Sequence, residues 1–249
     1  MFSKSIILLL SLMIIVSLLS SEEVSEAGNK LLKEIDRNLS PEAFESLRKI
    51  INVEPNGTTK DFVLYALKKG NDKMVTTFLS PKSEVGRSTL RLDENMWLYI
   101  PNVGKPMRIT SLQSVIGGIF NNSDIMQLDY IAEYDVIEMV DDNSNKLLTL
   151  KAKTHNVAYD KLKMWVNTKH KTPEKIECYT ASGMLIKTLR FKEIKDFGYG
   201  IIRPSVLETD SPLHKGYKAV MIYAEMKPRK IDDEVFTLNY MSKVKDLRN

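Results

Sequence analysis

The chain is poor in the residues that usually carry chemistry. Its 249 positions hold one cysteine, Cys178, and three histidines, His155, His170 and His214. A single cysteine excludes an intramolecular disulfide. The fold must therefore be held by burial and backbone hydrogen bonding, which a chain of this length can supply. The histidines lie far apart in polar, loop-like settings, none at helical metal-ligand spacing from another ligand. They read as surface or turn residues. No Gly-x-Ser-x-Gly elbow occurs, and Cys178 sits mid-strand without a basic activator. Gly198-Tyr199-Gly200 lacks the strand-to-helix setting of a dinucleotide loop. The acid pairs Asp141-Asp142 and Asp232-Asp233 fall at a hairpin tip and a helix start, where turn and cap roles account for them. No catalytic residue, metal or cofactor is expected.

An excess of one charge is missing too. There are 36 Lys and Arg against 32 Asp and Glu, a formal net charge of +4. The basic residues are spread over every segment rather than clustered on one element, which argues against nucleic acid. Fixed-period repeats and low-complexity tracts are also absent.

One long apolar run does occur, Ser5–Leu19 (SIILLLSLMIIVSLL), after the single positive charge of Lys4. It is short for a membrane span and fits the centre of a secretory leader. Ser25-Glu26-Ala27 offers the small residues of a cleavage site, with Ser20 or Ser21 as earlier candidates. The expected division is a leader over residues 1–27 and a mature domain over 28–249, periplasmic after export. Losing one lysine and three glutamates with the leader moves the net charge from +4 to +6. No cysteine follows the run, so a lipid-anchored leader is excluded. An uncleaved membrane anchor is the other reading of this stretch.

Past the leader, Asn29–Val53 carries apolar residues at three-and-four spacing (Leu31, Leu32, Ile35, Leu39, then Phe44, Leu47, Ile50, Ile51). Ser40-Pro41-Glu42 is a second helix-start signal. Two helices meeting at Leu39–Ser40 are expected. From Thr58 the pattern turns to strands: Lys60–Lys68, Lys73–Leu79, Ser88–Leu92, Met96–Ile100, Met107–Ile109, Tyr130–Val140, Lys146–Lys153, Lys161–Asn167, Thr172–Thr180, Met184–Glu193, Ile201–Glu208 and Tyr217–Met226. Short turns such as Gly70-Asn71-Asp72 and Asp93–Asn95 join them, so the body is an antiparallel meander. Leu162, Met164 and Val166 share one face, while imperfect alternation in Met184–Phe191 hints at a bulge or an edge. Met96–Ile100 is apolar on both faces and needs cover on both. Asp232–Lys245 reads as a short terminal helix or strand docked on the sheet.

The stretch with most to say is Arg87–Asp129, dense in large apolar side chains beside turn residues. Twelve methionines occur in the whole chain, and flexible Met side chains suit a surface that repacks around variable apolar partners. The plainer reading of each is gap-filling in a curved core.

The same stretch resembles the outer-membrane lipoprotein-sorting, LolA-like family. The resemblance rests on Leu92 and Met96-Trp97-Leu98-Tyr99-Ile100-Pro101, on Arg108-Ile109, and on Gly117-Gly118 with Asn122-Ser123-Asp124 and Asp129. Upstream, Leu32–Leu39, Leu79-Ser80-Pro81 and Gly86 match as well, as does Val235-Phe236 near the end. It implies a mainly β (α+β) fold: an antiparallel half-open β-barrel whose concave face is closed by N-terminal helices and a short helical segment. It implies a non-enzymatic carrier of lipoprotein acyl chains or lipids, a monomer between an inner-membrane exporter and an outer-membrane acceptor. The surface residues that dock such an acceptor cannot be located in this sequence.

The expected acyl-chain cavity comprises Met74, Phe78, Leu90, Trp97, Tyr99, Met107, Ile109, Ile116, Ile119, Phe120, Met126 and Met164. Gly117 and Gly118 would hinge a movable cover. For Trp97 ordinary core packing is the alternative, for Asp124 a helix cap, and for Arg108 either a headgroup contact or a strand cap. A structural or adaptor module, its half-barrel filled by its own side chains, is the competing function.

Overall fold

The computed structural model describes residues 23–114 and 116–248. Thirteen strands form one antiparallel sheet: β1 (Ala43–Val53), β2 (Thr59–Lys69), β3 (Lys73–Ser80), β4 (Ser88–Leu92), β5 (Asn95–Tyr99), β6 (Met107–Ile109), β7 (Tyr134–Asp142), β8 (Asn145–Ala152), β9 (Lys161–Asn167), β10 (Thr172–Tyr179), β11 (Leu185–Asp196), β12 (Ile202–Asp210) and β13 (Lys218–Pro228). Helix α1 covers residues 23–39; α2 (Asn122–Ile125) and α3 (Tyr130–Glu133) are single turns. Most of the expected leader lies outside the described residues. Residues 23–27 form the start of α1.

The spatial order is β6-β5-β4-β3-β2-β1-β13-β12-β11-β10-β9-β8-β7. The chain begins mid-sheet at β1, meanders out to the edge strand β6, crosses to the opposite edge at β7, and meanders back until β13 pairs with β1. Every neighbouring pair except β1–β13 is therefore a sequential hairpin. The crossing from β6 to β7 is made by residues 110–133, which hold α2 and α3.

Met96 on β5 and Leu148 on β8 belong to one buried cluster although they lie far apart in the sheet. Thr154 and Asn156, beyond β8, donate to Glu94 at the β4–β5 turn, so the sheet curls to bring its two halves together. Leu32, Ile35 and Leu39 of α1 and Ile119, Phe120, Ile125 and Met126 of the crossing segment join the same cluster. A second cluster lies on the opposite face. There Tyr65, Leu67, Val75 and Leu90 pack under Ile231, Val235, Phe236, Met241 and Val244. The C-terminal segment thus docks on the sheet as expected, as three 3-10 turns, Asp233–Phe236, Leu238–Tyr240 and Val244–Arg248.

The expected second helix is a strand. Ser40 ends α1, its amide donating to the Asp36 carbonyl at 2.9 Å, and β1 follows, paired along its length with β2 and β13. Its inward residues are Phe44, Ser46, Arg48, Ile50 and Asn52, all buried. Three of the five are polar, and the outward Leu47 and Ile51 are half-buried. The apolar set Phe44, Leu47, Ile50, Ile51 therefore mimics helical spacing, while the true period of two is hidden by polar side chains facing in. Tyr130–Glu133, expected as strand, forms α3 instead, and β7 starts at Tyr134.

Elsewhere the strand boundaries fall within a few residues of expectation. Leu162, Met164 and Val166 face inward and are fully buried. Trp165 on the other face carries the Lys175 ammonium 3.5 Å above its ring. The irregularity in Met184–Phe191 is a bulge rather than an edge: the β10–β11 register shifts at Cys178/Tyr179, and β11 is paired on both sides.

Candidate functional site

Residues 110–133 lie over the inward face between the two free sheet edges, and their polar anchoring is dense. In its middle, Asn121 and Asp124 form a capping box around α2, each side chain accepting from the other's backbone N–H at 3.0 Å. Tyr159 Oη donates to Asp124 Oδ1 at 2.8 Å and accepts from Asn121 Nδ2 at 2.9 Å. Asn121, Asn122, Ser123 and Asp124 are all buried. Such burial is tolerable only because these groups are satisfied.

Inward-pointing cations of the sheet hold the segment down. Lys187 of β11 donates to Asp124 and to the Ile119 carbonyl, both at 2.7 Å. Arg48 of β1 donates to the Ile125 carbonyl at 2.9 Å. Arg91 of β4 donates to the Met126 carbonyl at 3.0 Å and pairs with Glu133. Lys68 of β2 pairs with Asp129, which also takes Arg37 of α1. Asp36 of α1 accepts from the Tyr130 and Ile131 amides at 2.8 and 2.9 Å, fixing the first turn of α3. Burial pushes the Asp36 carboxyl up to about 7, against the lowering effect of those two amides. The segment is thus held to the sheet by charges and by its own carbonyls, not by strand pairing.

Sequence reasoning missed this network. Lys68, Arg91, Arg48 and Lys187 occupy inward positions of their strands, where a hydrophobic pattern alone reads a polar residue as outward. Asp124 is both the expected cap and the partner of Lys187. Arg108 donates to Asn95 on the exposed edge, a strand-end contact.

The expected cavity residues divide between the two faces. Met74, Phe78, Ile119, Phe120, Met126 and Met164 come together in the inner cluster, with Ile109 and Ile116 packed against it. Leu90, Trp97 and Tyr99 lie instead in the outer cluster under the C-terminal segment. This corrects their placement on a shared wall. Strand alternation sends Met96 in and its neighbours Trp97 and Tyr99 out, so the two-sided burial of β5 is met by a different element on each side. Met107 on edge strand β6 is 41% exposed.

At the expected hinge, Ile116 and Gly117 take successive positive φ angles of 55° and 70°. Such a turn needs a residue without a Cβ at one position at least. Gly118 approaches the sheet closely: a Cβ there would stand 2.3 Å from Asn52 Oδ1. A cavity of about 50 Å³ remains between α1, the 124–130 stretch and β11–β13, lined by Leu39, Phe44, Arg48, Leu189, Arg203 and Tyr223 among others. An apolar cavity that accepts benzene is roughly 150 Å³, so this one is too small even for a ligand of that size. Cys178 is fully buried on β10, and burial pushes its thiol well up. Among the described residues no three His, Cys, Asp or Glu are grouped to hold a metal, and no helix is long and apolar enough to cross a membrane.

Known proteins resemble this architecture. A family model described as an uncharacterized protein matches residues 70–243. A LolA superfamily protein from Nitrosomonas europaea, NE2245, is 27% identical over 85% of this chain and 97% of its own, with a TM-score of 0.76. A domain from Vibrio parahaemolyticus assigned to outer membrane lipoprotein sorting is 20% identical, covering 88% and 99%, at a TM-score of 0.72. A DUF1329 family protein from Desulfovibrio piger is 19% identical, covering 88% and 99%, at 0.75. No curated protein sequence matches significantly. The last two structures speak for the fold alone, while the first adds sequence likeness across nearly its whole length. The chain thus belongs to the family matched over residues 70–243, and its fold is that of the LolA-like proteins.

Proposed function

We propose that the protein is a non-enzymatic periplasmic carrier that takes acyl chains of lipoproteins or lipids between its inner sheet face and the cover. The observation that carries this reading is an apolar concave face closed by a segment held through polar, separable anchors. Burying one methylene is worth about 0.8 kcal/mol. Ten of them supply ~8 kcal/mol toward lifting a cover held by the buried pairs Lys187–Asp124, Arg91–Glu133 and Lys68–Asp129. Met74, Phe78, Met126 and Met164 of the inner cluster would contact the chain, and Gly117 with Gly118 would hinge the cover.

Ser25 Oγ donates to the Val136 carbonyl at 2.9 Å from within α1. A leader cut near Ser20 or Ser21 would preserve that bond, whereas a cut after Ala27 would remove it. An exporter and an outer-membrane acceptor would complete the route. The cavity of only about 50 Å³ favours the second reading, an adaptor whose barrel is filled by its own side chains. Native mass spectrometry of the exported protein, purified without harsh detergent, separates the two. A stoichiometric acylated adduct establishes the carrier; a bare mass with no uptake of added lipid leaves the adaptor.

A further inference from the structure

Two arginines in the cavity stand out from the other buried cations. Lys68, Arg91 and Lys187 each meet a carboxylate. Arg48 and Arg203, 3% and 5% exposed, do not. Arg48 donates to Ser46 Oγ and the Ile125 carbonyl. Arg203 donates to the Pro204 and Leu39 carbonyls. All four acceptors are neutral. Among the described residues neither guanidinium forms an ion pair with a carboxylate.

Both guanidiniums stack on the same ring, 4.8 and 4.1 Å from the centroid of Tyr223. Two like charges are thus gathered around one phenol inside the protein. Cation–π contact offsets part of the desolvation cost, but like charges this deep normally need an anion. The carboxylates that also line the cavity are committed elsewhere: Asp124 to Lys187, Tyr159 and its capping box, and Asp36 to the α3 amides.

We propose that Arg48 and Arg203 anchor the oxyanion headgroup, carboxylate or phosphate, of an acyl lipid. Its chain runs along Leu39, Phe44, Leu189, Phe191 and Leu207. The inference rests on the carrier reading and narrows it to anionic lipids. A guanidinium is the side chain best shaped for a planar carboxylate or a phosphate. Both arginines are buried, so the bound head would be shielded from water and its hydrogen bonds strengthened. Because Arg48 also holds the Ile125 carbonyl, a head that recruits this guanidinium bears directly on the cover.

The test measures binding of oleate, dioleoylphosphatidate and dioleoylglycerol to the whole exported protein, with inorganic phosphate as a chain-free anion. The expected result is that both anionic lipids bind roughly tenfold or more tighter than dioleoylglycerol, as charge-assisted hydrogen bonds require. Arg203→Gln should erase that preference while dioleoylglycerol binding stays, and Arg203→Lys should keep part of it. The comparison among lipids on the unaltered protein needs no variant, so poor folding of Arg203→Gln does not spoil it. Equal affinity for all three lipids overturns the anion site and leaves the carrier. Arg203-dependent phosphate binding without uptake of any lipid overturns both the lipid headgroup and the carrier. Silence toward every probe overturns both as well.

Discussion

Lys187 Nζ lies 2.7 Å from Asp124 Oδ2 and 2.7 Å from the Ile119 carbonyl, so one ammonium on β11 gathers both sides of the buried polar turn in the middle of the cover. Both side chains are almost wholly out of solvent. Lys187→Met leaves the Asp124 carboxylate buried without its partner, at an expected cost of roughly 3–5 kcal/mol. Urea unfolding should show the loss, and adding Asp124→Asn should recover part of it, since the amide oxygen can still cap α2. A loss below about 1 kcal/mol, the range of exposed pairs, would mean the pair does not hold the turn.

Arg91 joins β4 to the cover twice, through the Met126 carbonyl and Glu133. Arg91→Gln keeps a donor for one acceptor and gives up the charge. Hydrogen exchange should then speed up by an order of magnitude or so across residues 119–133, a local opening about 1.4 kcal/mol easier. Peptides from β8 to β10 should keep their protection. Uniform acceleration over the whole sheet would instead mean that the cover and the barrel open as one unit.

Asp36 gives the fold an unusual pH response. Burial is the main cause that lifts its carboxyl to about 7, with the Ile131 and Tyr130 amides and Lys68 pulling the other way. Between the ordinary Asp value, near 3.9, and about 7 the folded chain keeps a proton that the unfolded chain has lost. Stability from this group therefore falls as pH rises through that window. Glu45 contributes the opposite slope. Burial would raise it, but hydrogen bonds from Tyr65, Lys227 and Arg229 outweigh burial and hold it at about 2. Its contribution is present above the ordinary Glu value and is lost as pH falls toward 2. Melting curves across pH should show Asp36→Asn removing the decline between pH 4 and 7, and Glu45→Gln flattening the acid limb. Unchanged profiles in both variants would place the titration elsewhere.

The outer cluster should be separable from lipid handling. Phe236, on the C-terminal segment itself, is 3% exposed and packs alongside Trp97 and Tyr99. Phe236→Ala should cost about 3–5 kcal/mol, the usual range for a deleted core aromatic, and make residues 231–248 sensitive to protease. Acyl-lipid affinity should hold, because that face of the sheet is turned away from the cover. A large drop in affinity in a still-folded variant would couple the two faces.

Local chemistry made much of this protein legible from sequence. Turn residues such as Gly70-Asn71-Asp72 and Asp93–Asn95 sit between runs of β-forming residues, so hairpins follow from neighbours only. Twelve of the thirteen strands of the meander are visible in that way, as is the apolar excess of Arg87–Asp129. What the sequence could not settle depends on which way a side chain faces. On β1, polar inward residues concealed the period of two and made a strand look helical. Trp97 and Tyr99 looked like cavity wall, but alternation and the C-terminal segment put them outside. The charges that latch the cover come from β1, β2, β4 and β11 and converge only because the sheet curls. Sequence thus determined the elements and their order, through propensity and turn chemistry acting over a few residues. The tertiary structure decided which charges are buried and what they hold, because burial and pairing exist only once distant strands share an interior.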